Sequence, residues 1–129
     1  MFNIYAPNIH LKRQWFFKNV YNIKTRKFVL RTQLIIGGDF NCVLNPQIDT
    51  FNVKSKYKTP RFLKQLMKKL LLIDIWRKVH LDKRQYTWHN KSLHVASRID
   101  FILVSKDLKN EIVKTDIRPV VCGDHNQSL

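Results

Sequence analysis

Gly38-Asp39-Phe40-Asn41 sets a carboxylate and an amide two residues apart, directly after the apolar run Leu34-Ile35-Ile36. On an extended chain, residues i and i+2 point to the same side. One group can then hold a water or a cation while the other donates to a phosphate oxygen. The same residues are ordinary turn formers, and a Gly-Asp turn capped by Asn accounts for them as well. Asp100 is harder to reduce to a turn, because a carboxylate between Ile99 and Phe101 is costly to bury unless it is paired. Arg98 or a histidine is the available partner, giving either an ion pair or an acid–base dyad. Asp124-His125 lies near the end of the chain, where a histidine after a strand is more often a surface group than a catalyst. Tyr5 and Asn8 bracket Pro7, and both can donate to a phosphate or cap a turn.

These residues need elements to carry them. Residues 2–6 read as a short buried strand ending at Pro7. From Leu11 to about Leu30, Trp15, Phe16, Val20 and Ile23 recur among Lys, Arg and Gln at helical spacing. Leu34-Ile35-Ile36, closed by Gly37-Gly38, has the pattern of a central strand running into a loop, and residues 41–59 read as polar and irregular. A second helix is expected from Pro60, a favoured first position. Its stripe is Phe62, Leu63, Leu66, Met67, Leu70 and Leu71, with Lys64, Lys68 and Lys69 on the other face. Tyr86-Thr87-Trp88 is short and β-prone, Arg98 to Ser105 suits a buried strand, and Glu111 to Val121 reads as another strand. Helices alternating with strands predict a layered α/β domain with its polar motifs at strand ends.

Composition narrows the classes. The 129 residues are 44% hydrophobic, enough for a core, and 3 Gly and 4 Pro exclude collagen-like or low-complexity chains. Lys and Arg number 24 against 9 acids, a net charge of +15 that favours a polyanion, nucleic acid first and an anionic membrane second, with a solubilising surface as the plain alternative. Cys42 and Cys122 stand apart, without the spacing of a zinc site or a disulfide scaffold, and point to a reduced intracellular protein. The longest apolar stretch, Leu70 to Ile73, is far short of the ~20 residues of a membrane span, so no membrane partner is expected. Met1 is followed at once by Phe2-Asn3-Ile4-Tyr5, which reads as a strand already under way.

Taken in order, Asn3-Ile4-Tyr5-Ala6-Pro7-Asn8, Gly37-Gly38-Asp39-Phe40-Asn41, Ser97-Arg98-Ile99-Asp100-Phe101 and Gly123-Asp124-His125 resemble the later motifs of the exonuclease–endonuclease–phosphatase superfamily. Tyr86-Thr87-Trp88-His89 leading into Ser97-Arg98-Ile99-Asp100 is similar to LINE-type retrotransposon endonuclease domains in particular. The resemblance covers essentially the whole chain. Gly123 stands where the superfamily commonly has Ser. The superfamily's first half, with an early Asn and the Glu that is a principal metal ligand, has no counterpart, and Glu111 is wrongly placed to substitute.

The resemblance implies that residues 1–129 are the carboxyl-terminal portion of a four-layer α/β/β/α sandwich, chiefly its second sheet and helices. It implies a metal-dependent endonuclease using Mg2+ or Mn2+ on DNA, with an intracellular, nuclear location. Asp39 would orient or deprotonate the attacking water, and Asn41 would bind a phosphate oxygen. His125 would contact the phosphate, with Asp100 fixing its tautomer. Tyr5, Asn8 and Arg98 would hold phosphate or DNA, Asp39 and Asp124 would serve the metal, and the basic helices would grip phosphates without reading sequence. Ile4, Ile35 and Ile102 are expected on a sheet face covered by a complementary amino-terminal half or by a second copy. Two alternatives stay open: a superfamily phosphatase acting on a small phosphoester, and a basic remnant that binds nucleic acid without cutting.

Overall fold

The computed structural model describes residues 1–27, 33–54, 59–112, 114–118, 127 and 128. Four strands form the main sheet: β1 (Phe2–Tyr5), β2 (Ile35–Asp39), β4 (Leu72–Asp74) and β7 (Asp100–Ser105), in the order β1-β2-β7-β4. β1 runs parallel to β2, while β7 is antiparallel to both β2 and β4. Helix α1 (His10–Lys27) makes the crossover between the parallel pair, as parallel strands require. Helix α3 (Arg61–Lys69) packs beside it. The chain is a mixed α/β domain, as the alternation of elements predicts.

Alternation along the strands decides the two faces. Ile4, Ile36, Phe101 and Leu103 point to the side where Phe17 of α1 and Leu63 and Leu66 of α3 close the main core. Phe40 lies between Phe17 and Phe101, with ring centroids 6.0 and 5.4 Å away. Fully burying an aromatic ring stabilises the fold by about 1.5–3 kcal/mol, so this stack pins the end of β2 under the helices. Ile35, Ile73 and Ile102 point to the opposite face and pack with Ile75, Val104 and Leu108 in a smaller cluster. Ile4 was expected on that second face. It sits in the helix-covered core instead, because its neighbours Asn3 and Tyr5 take the other side of β1.

Two further differences come from backbone geometry. Gly37 and Gly38 lie inside β2 rather than closing it, opposite Ile102 and Phe101 of β7. Gly38 has φ +134, and a Cβ there would meet the Ile4 carbonyl oxygen at 2.0 Å. The glycine is what lets β1 approach β2. The stretch 41–59, expected to be irregular, contains α2 (Pro46–Asp49) and β3 (Thr50–Phe51). Asn45 caps α2, its side chain accepting from the Gln47 amide, and Pro46 occupies the first turn.

α3 begins immediately after Pro60, as expected. β4 leads into α4 (Ile75–Val79), capped by Asp74, whose carboxylate accepts from the Arg77 amide. The Tyr86-Thr87-Trp88 segment enters a hairpin of β5 (Trp88–Asn90) and β6 (Val95–Ser97), which joins β3 in a small second sheet, β3-β6-β5. β7 ends in a short 3-10 helix, Lys106–Asn110. Of the strand expected over 111–121, the described residues contain β8 (Ile117–Arg118), paired with β9 (Gln127–Ser128). Residues 28–30 of the expected first helix and residues 113 and 119–121 lie outside the described residues.

Candidate active site

Phe40 is the residue that aims the site. Its ring is buried beneath α1 and its amide donates to the Ile99 carbonyl at 2.9 Å. Asp39 therefore emerges on the opposite face, at the carboxyl end of β2. The register places Tyr5 of β1 beside Asp39, and Asp39 directly across from Asp100 of β7. Three of the expected site residues thus form one row across three adjacent strands.

Opposed residues of an antiparallel pair share a face, and they approach closest where no ladder hydrogen bonds link them. The Phe40–Ile99 bond puts Asp39 and Asp100 at such a position. Two facing carboxylates favour a cation or a hydrogen-bond donor nearby. Oxygen donors of this kind suit a hard divalent ion such as Mg2+. Among the described residues, no three His, Cys, Asp or Glu side chains gather closely enough to hold a metal by themselves. The row's carboxylates match such an ion in donor chemistry, but by themselves they do not make a metal site.

The turn beyond β2 bears out the turn reading of Gly38-Asp39-Phe40-Asn41. Asp39 Oδ1 accepts from the Asn41 amide at 2.7 Å, closing an Asx turn in which Asn41 has φ 47. The Asn41 side-chain nitrogen donates to the Ala6 carbonyl at 2.6 Å. That bond uses one of its two hydrogens and ties the β2 turn to the end of β1. Tyr5 is 80% exposed beside it. Asn8 follows in an exposed bend, where its carbonyl accepts from the Arg13 guanidinium at 2.8 Å, and the Pro7 carbonyl accepts from the same nitrogen at 3.3 Å. Arg13, buried on α1, thereby straps the loop that carries Tyr5 and Asn8.

Asp100 is half-buried at the start of β7, and a threonine sets its backbone. Thr87 is fully buried, and its Oγ1 accepts from the amides of both Ile99 and Asp100 at 3.0 and 3.1 Å. In the sequence this segment is distinguished by its β propensity and by its likeness to retrotransposon endonuclease domains, neither of which names a role for Thr87. Its actual contribution is to satisfy two amides at the point where β7 begins.

Arg98 requires correction. Expected on phosphate or DNA, it is 1% exposed, with its Nε and one terminal nitrogen engaged. Its Nε and one terminal nitrogen donate to the two Asp49 oxygens at 2.8 and 3.1 Å, and that same terminal nitrogen donates to Asp74 at 2.6 Å. Arg77 adds a second ion pair to Asp49 at 2.6 Å. The guanidinium carbon lies 4.6 Å from the centre of the Phe101 ring and 5.0 Å from that of Trp76. Burial works against the charged form, but Asp74 and then Asp49 outweigh it and raise the Arg98 pKa. Arg98 is a structural cation whose partners are Asp49 and Asp74, not Asp100. Asp74 announced itself in the sequence as Asp100 did, being one carboxylate in the apolar run Leu72 to Trp76. Asp49 gave no such signal.

Cys42, expected as a reduced thiol near this edge, is a free and buried cysteine. Burial pushes its thiol up to about 12, with Arg13 lowering and Asp39 raising it. Cys122, Gly123, Asp124 and His125 lie outside the described residues, and with them the expected Asp100–His125 dyad.

With this geometry in place, the chain can be set beside known proteins. No family model matches it. An AP endonuclease from Archaeoglobus fulgidus superposes with a TM-score of 0.74 at 22% identity, over 96% of this chain and 57% of that one. The 3'-5' exonuclease NExo from Neisseria meningitidis gives 0.74 at 23% identity with the same coverage. The chain shares the mixed α/β fold of these two structures. In sequence, the chain is 30% identical over 128 residues to the transposon TX1 uncharacterized 149 kDa protein of Xenopus laevis. That match takes in 98% of this chain and 10% of the transposon protein, and the chain spans little more than half of the two solved structures. Among the described residues, no helix is long and apolar enough to cross a membrane.

Proposed function

We propose that residues 1–129 are the carboxyl-terminal portion of a metal-dependent endonuclease domain that nicks DNA and belongs to a retrotransposon polyprotein. The observation that carries the reading is the row Tyr5–Asp39–Asp100, three adjacent strands presenting a phenol and two facing carboxylates at one sheet edge. The transposon relative and the nuclease neighbours support it.

In this reading Asp39 and Asp124 would hold the divalent ion. When bound, the ion would supply positive charge against the charge that gathers on a phosphodiester transition state. Asp39, fixed by its Asx turn, orients the attacking water and takes its proton. Asn41 keeps one side-chain hydrogen for Ala6 and offers the other to a phosphate oxygen. Tyr5 and Asn8, on the Arg13-strapped loop, grip the phosphate from the β1 side. Asp100 orients His125, which contacts the phosphate. The residues that complete the metal site, a Glu foremost, come from an amino-terminal half that this chain does not supply.

The test is Mg2+-dependent nicking of supercoiled plasmid by the chain alone and by a chain extended with the sequence encoded upstream of Met1. The extended chain is expected to nick, Asp39→Ala to abolish nicking, and the chain alone to nick feebly or not at all. Nicking untouched by Asp39→Ala, or a preference for an inositol phosphate over DNA, would overturn the reading. Binding without turnover in the extended chain would make it a nucleic-acid-binding module.

A further inference from the structure

The basic helices cannot grip the strand held at the Asp39 edge, because they lie on the other face of the sheet. α1 and α3 cover the side to which Ile36, Phe101 and Leu103 point, whereas Asp39 and Asp100 share the side of Ile35 and Ile102. The charge on this helical layer is of one sign. α1 contains six Lys and Arg and α3 contains four, and neither contains an Asp or Glu, although the chain has 9 acids. Arg13 is committed to the Pro7–Asn8 loop, but Lys12, Lys18, Arg61, Lys64, Lys68 and Lys69 are exposed.

A merely solvating face would interleave both signs. Here Lys64 follows Arg61 by three residues and precedes Lys68 by four, spacings at which like charges repel on a helix surface. A bound polyanion removes that repulsion. The layer also carries aromatic groups where a base could use them. Lys12, Trp15, Lys18 and Tyr21 follow one another at intervals of three, a winding ridge in which cations and rings alternate. Trp15 is 69% exposed, a heavy cost for an indole without a partner. Tyr21, packed on Phe62 of α3 at 6.1 Å, forms the wall of a cleft of about 350 Å³ with Gln65, Lys68 and Lys69. Eleven residues separate Tyr21 from the start of α1, about 16 Å of helix leading away from the Tyr5 end.

We propose that the α1–α3 face is a second nucleic-acid site, which holds a single-stranded backbone distinct from the strand at the Asp39 edge. Unpaired bases stack on Trp15 while the phosphates follow Lys12 and Lys18 into the Tyr21 cleft toward Lys68 and Lys69. Single-stranded rather than duplex nucleic acid is favoured because only unpaired bases expose a face to the indole. The site goes beyond the proposed nicking activity and needs none of its residues.

The experiment titrates the full chain with fluorescein-labelled oligo(dT) and oligo(U), reading anisotropy across a salt series and Trp fluorescence in parallel. Both oligomers are expected to bind and to quench the indole. The triple variant Lys18→Gln, Lys68→Gln, Lys69→Gln should reduce the slope of log K against log salt by about 2, since each lysine that meets a phosphate adds ~0.7. Trp15→Ala should weaken binding by about fivefold or more and remove the quench. Trp15 and the three lysines are exposed, so these variants keep the core, and matching circular dichroism melts would verify it. Asp39→Asn should bind the oligomers as the wild type does, which separates this site from the nicking reading. Wild-type affinity and salt slope in the triple variant would overturn the proposal, as would an unquenched Trp15. Tighter binding to phosphatidylserine vesicles than to the oligomers would overturn it in favour of a membrane surface.

Discussion

At the scale of single residues, the candidate site depends on groups that do not belong to it. Thr87 Oγ1 serves the amides of Ile99 and Asp100 together, so its removal strands one buried and one part-buried donor, the buried one at about 1–3 kcal/mol. Thr87→Val, similar in shape, is expected to lower stability by about 2 kcal/mol or more in urea unfolding, and to deprotect the Ile99 and Asp100 amides in hydrogen exchange. Thr87→Ser keeps the oxygen and should restore most of both. Cys42 gives a second test. Its thiol is held at about 12 by burial, above the ordinary value of 9.0. The folded state keeps a proton that the unfolded chain loses, so its contribution is intact below pH ~9 and falls as pH rises toward 12. In a Cys122→Ser background, Cys42 should resist alkylation at pH 8 until denaturant unfolds the chain; prompt alkylation of folded protein would contradict its burial. Asp39, Asn41 and Asp100 were legible because their types and spacing are unusual among apolar runs. Thr87, Arg13 and Asp49 were not, because a positioning residue is defined by what it touches across the fold, 49 residues away for Arg98 and Asp49.

Among the elements, strand and helix existence was readable from periodicity, whereas their ends and joins depended on contacts between segments. Gly37-Gly38 resembles a loop signal, yet tertiary pairing holds both residues in β2. The pair makes opposite predictions for one substitution. Gly38→Ala would force a Cβ to within 2.0 Å of the Ile4 carbonyl oxygen at φ +134, and the loss expected is on the order of 3 kcal/mol or more. At Gly37 the nearest atom is the Met1 side chain at 3.5 Å, ordinary packing distance, and Gly37→Ala should be mild by comparison. Thermal melts of the two variants check both at once. The Arg98 cluster acts at the same scale, since Asp49 ends α2, Asp74 caps α4 and Arg98 precedes β7. Arg98→Met leaves Asp74 without its ion-pair partner and Asp49 with Arg77 alone, and stability should fall by about 3–5 kcal/mol. Arg98→Lys should not restore it, because a point charge cannot reproduce the forked bonding to Asp49. Recovery by lysine would mean that charge alone, without geometry, holds these elements together.

For the whole molecule, the two faces of the main sheet are unequal. One lies under α1 and α3, with Ile36, Leu63, Leu66 and Leu103 fully buried. On the other, Ile35, Ile73 and Ile102 remain partly exposed around Val104 and Ile75. The solved structures of this fold are longer, the chain spanning 57% of two of them, and the resemblance expects an amino-terminal half on this face. Three half-covered isoleucines beside one another are the start of an apolar patch, and such patches in soluble proteins commonly mark contact surfaces. The isolated chain is therefore expected to associate with itself, despite the mutual repulsion of a +15 net charge. Sedimentation equilibrium should show a concentration-dependent dimer at moderate salt that dissociates at low salt, where repulsion is less screened. Ile102→Lys places a charge at the centre of the face and should shift the chain to monomer. The same substitution at Leu71, exposed beyond the end of α3, should not. A chain that stays monomeric throughout, or a dimer indifferent to Ile102→Lys, would show that this face is stable in water.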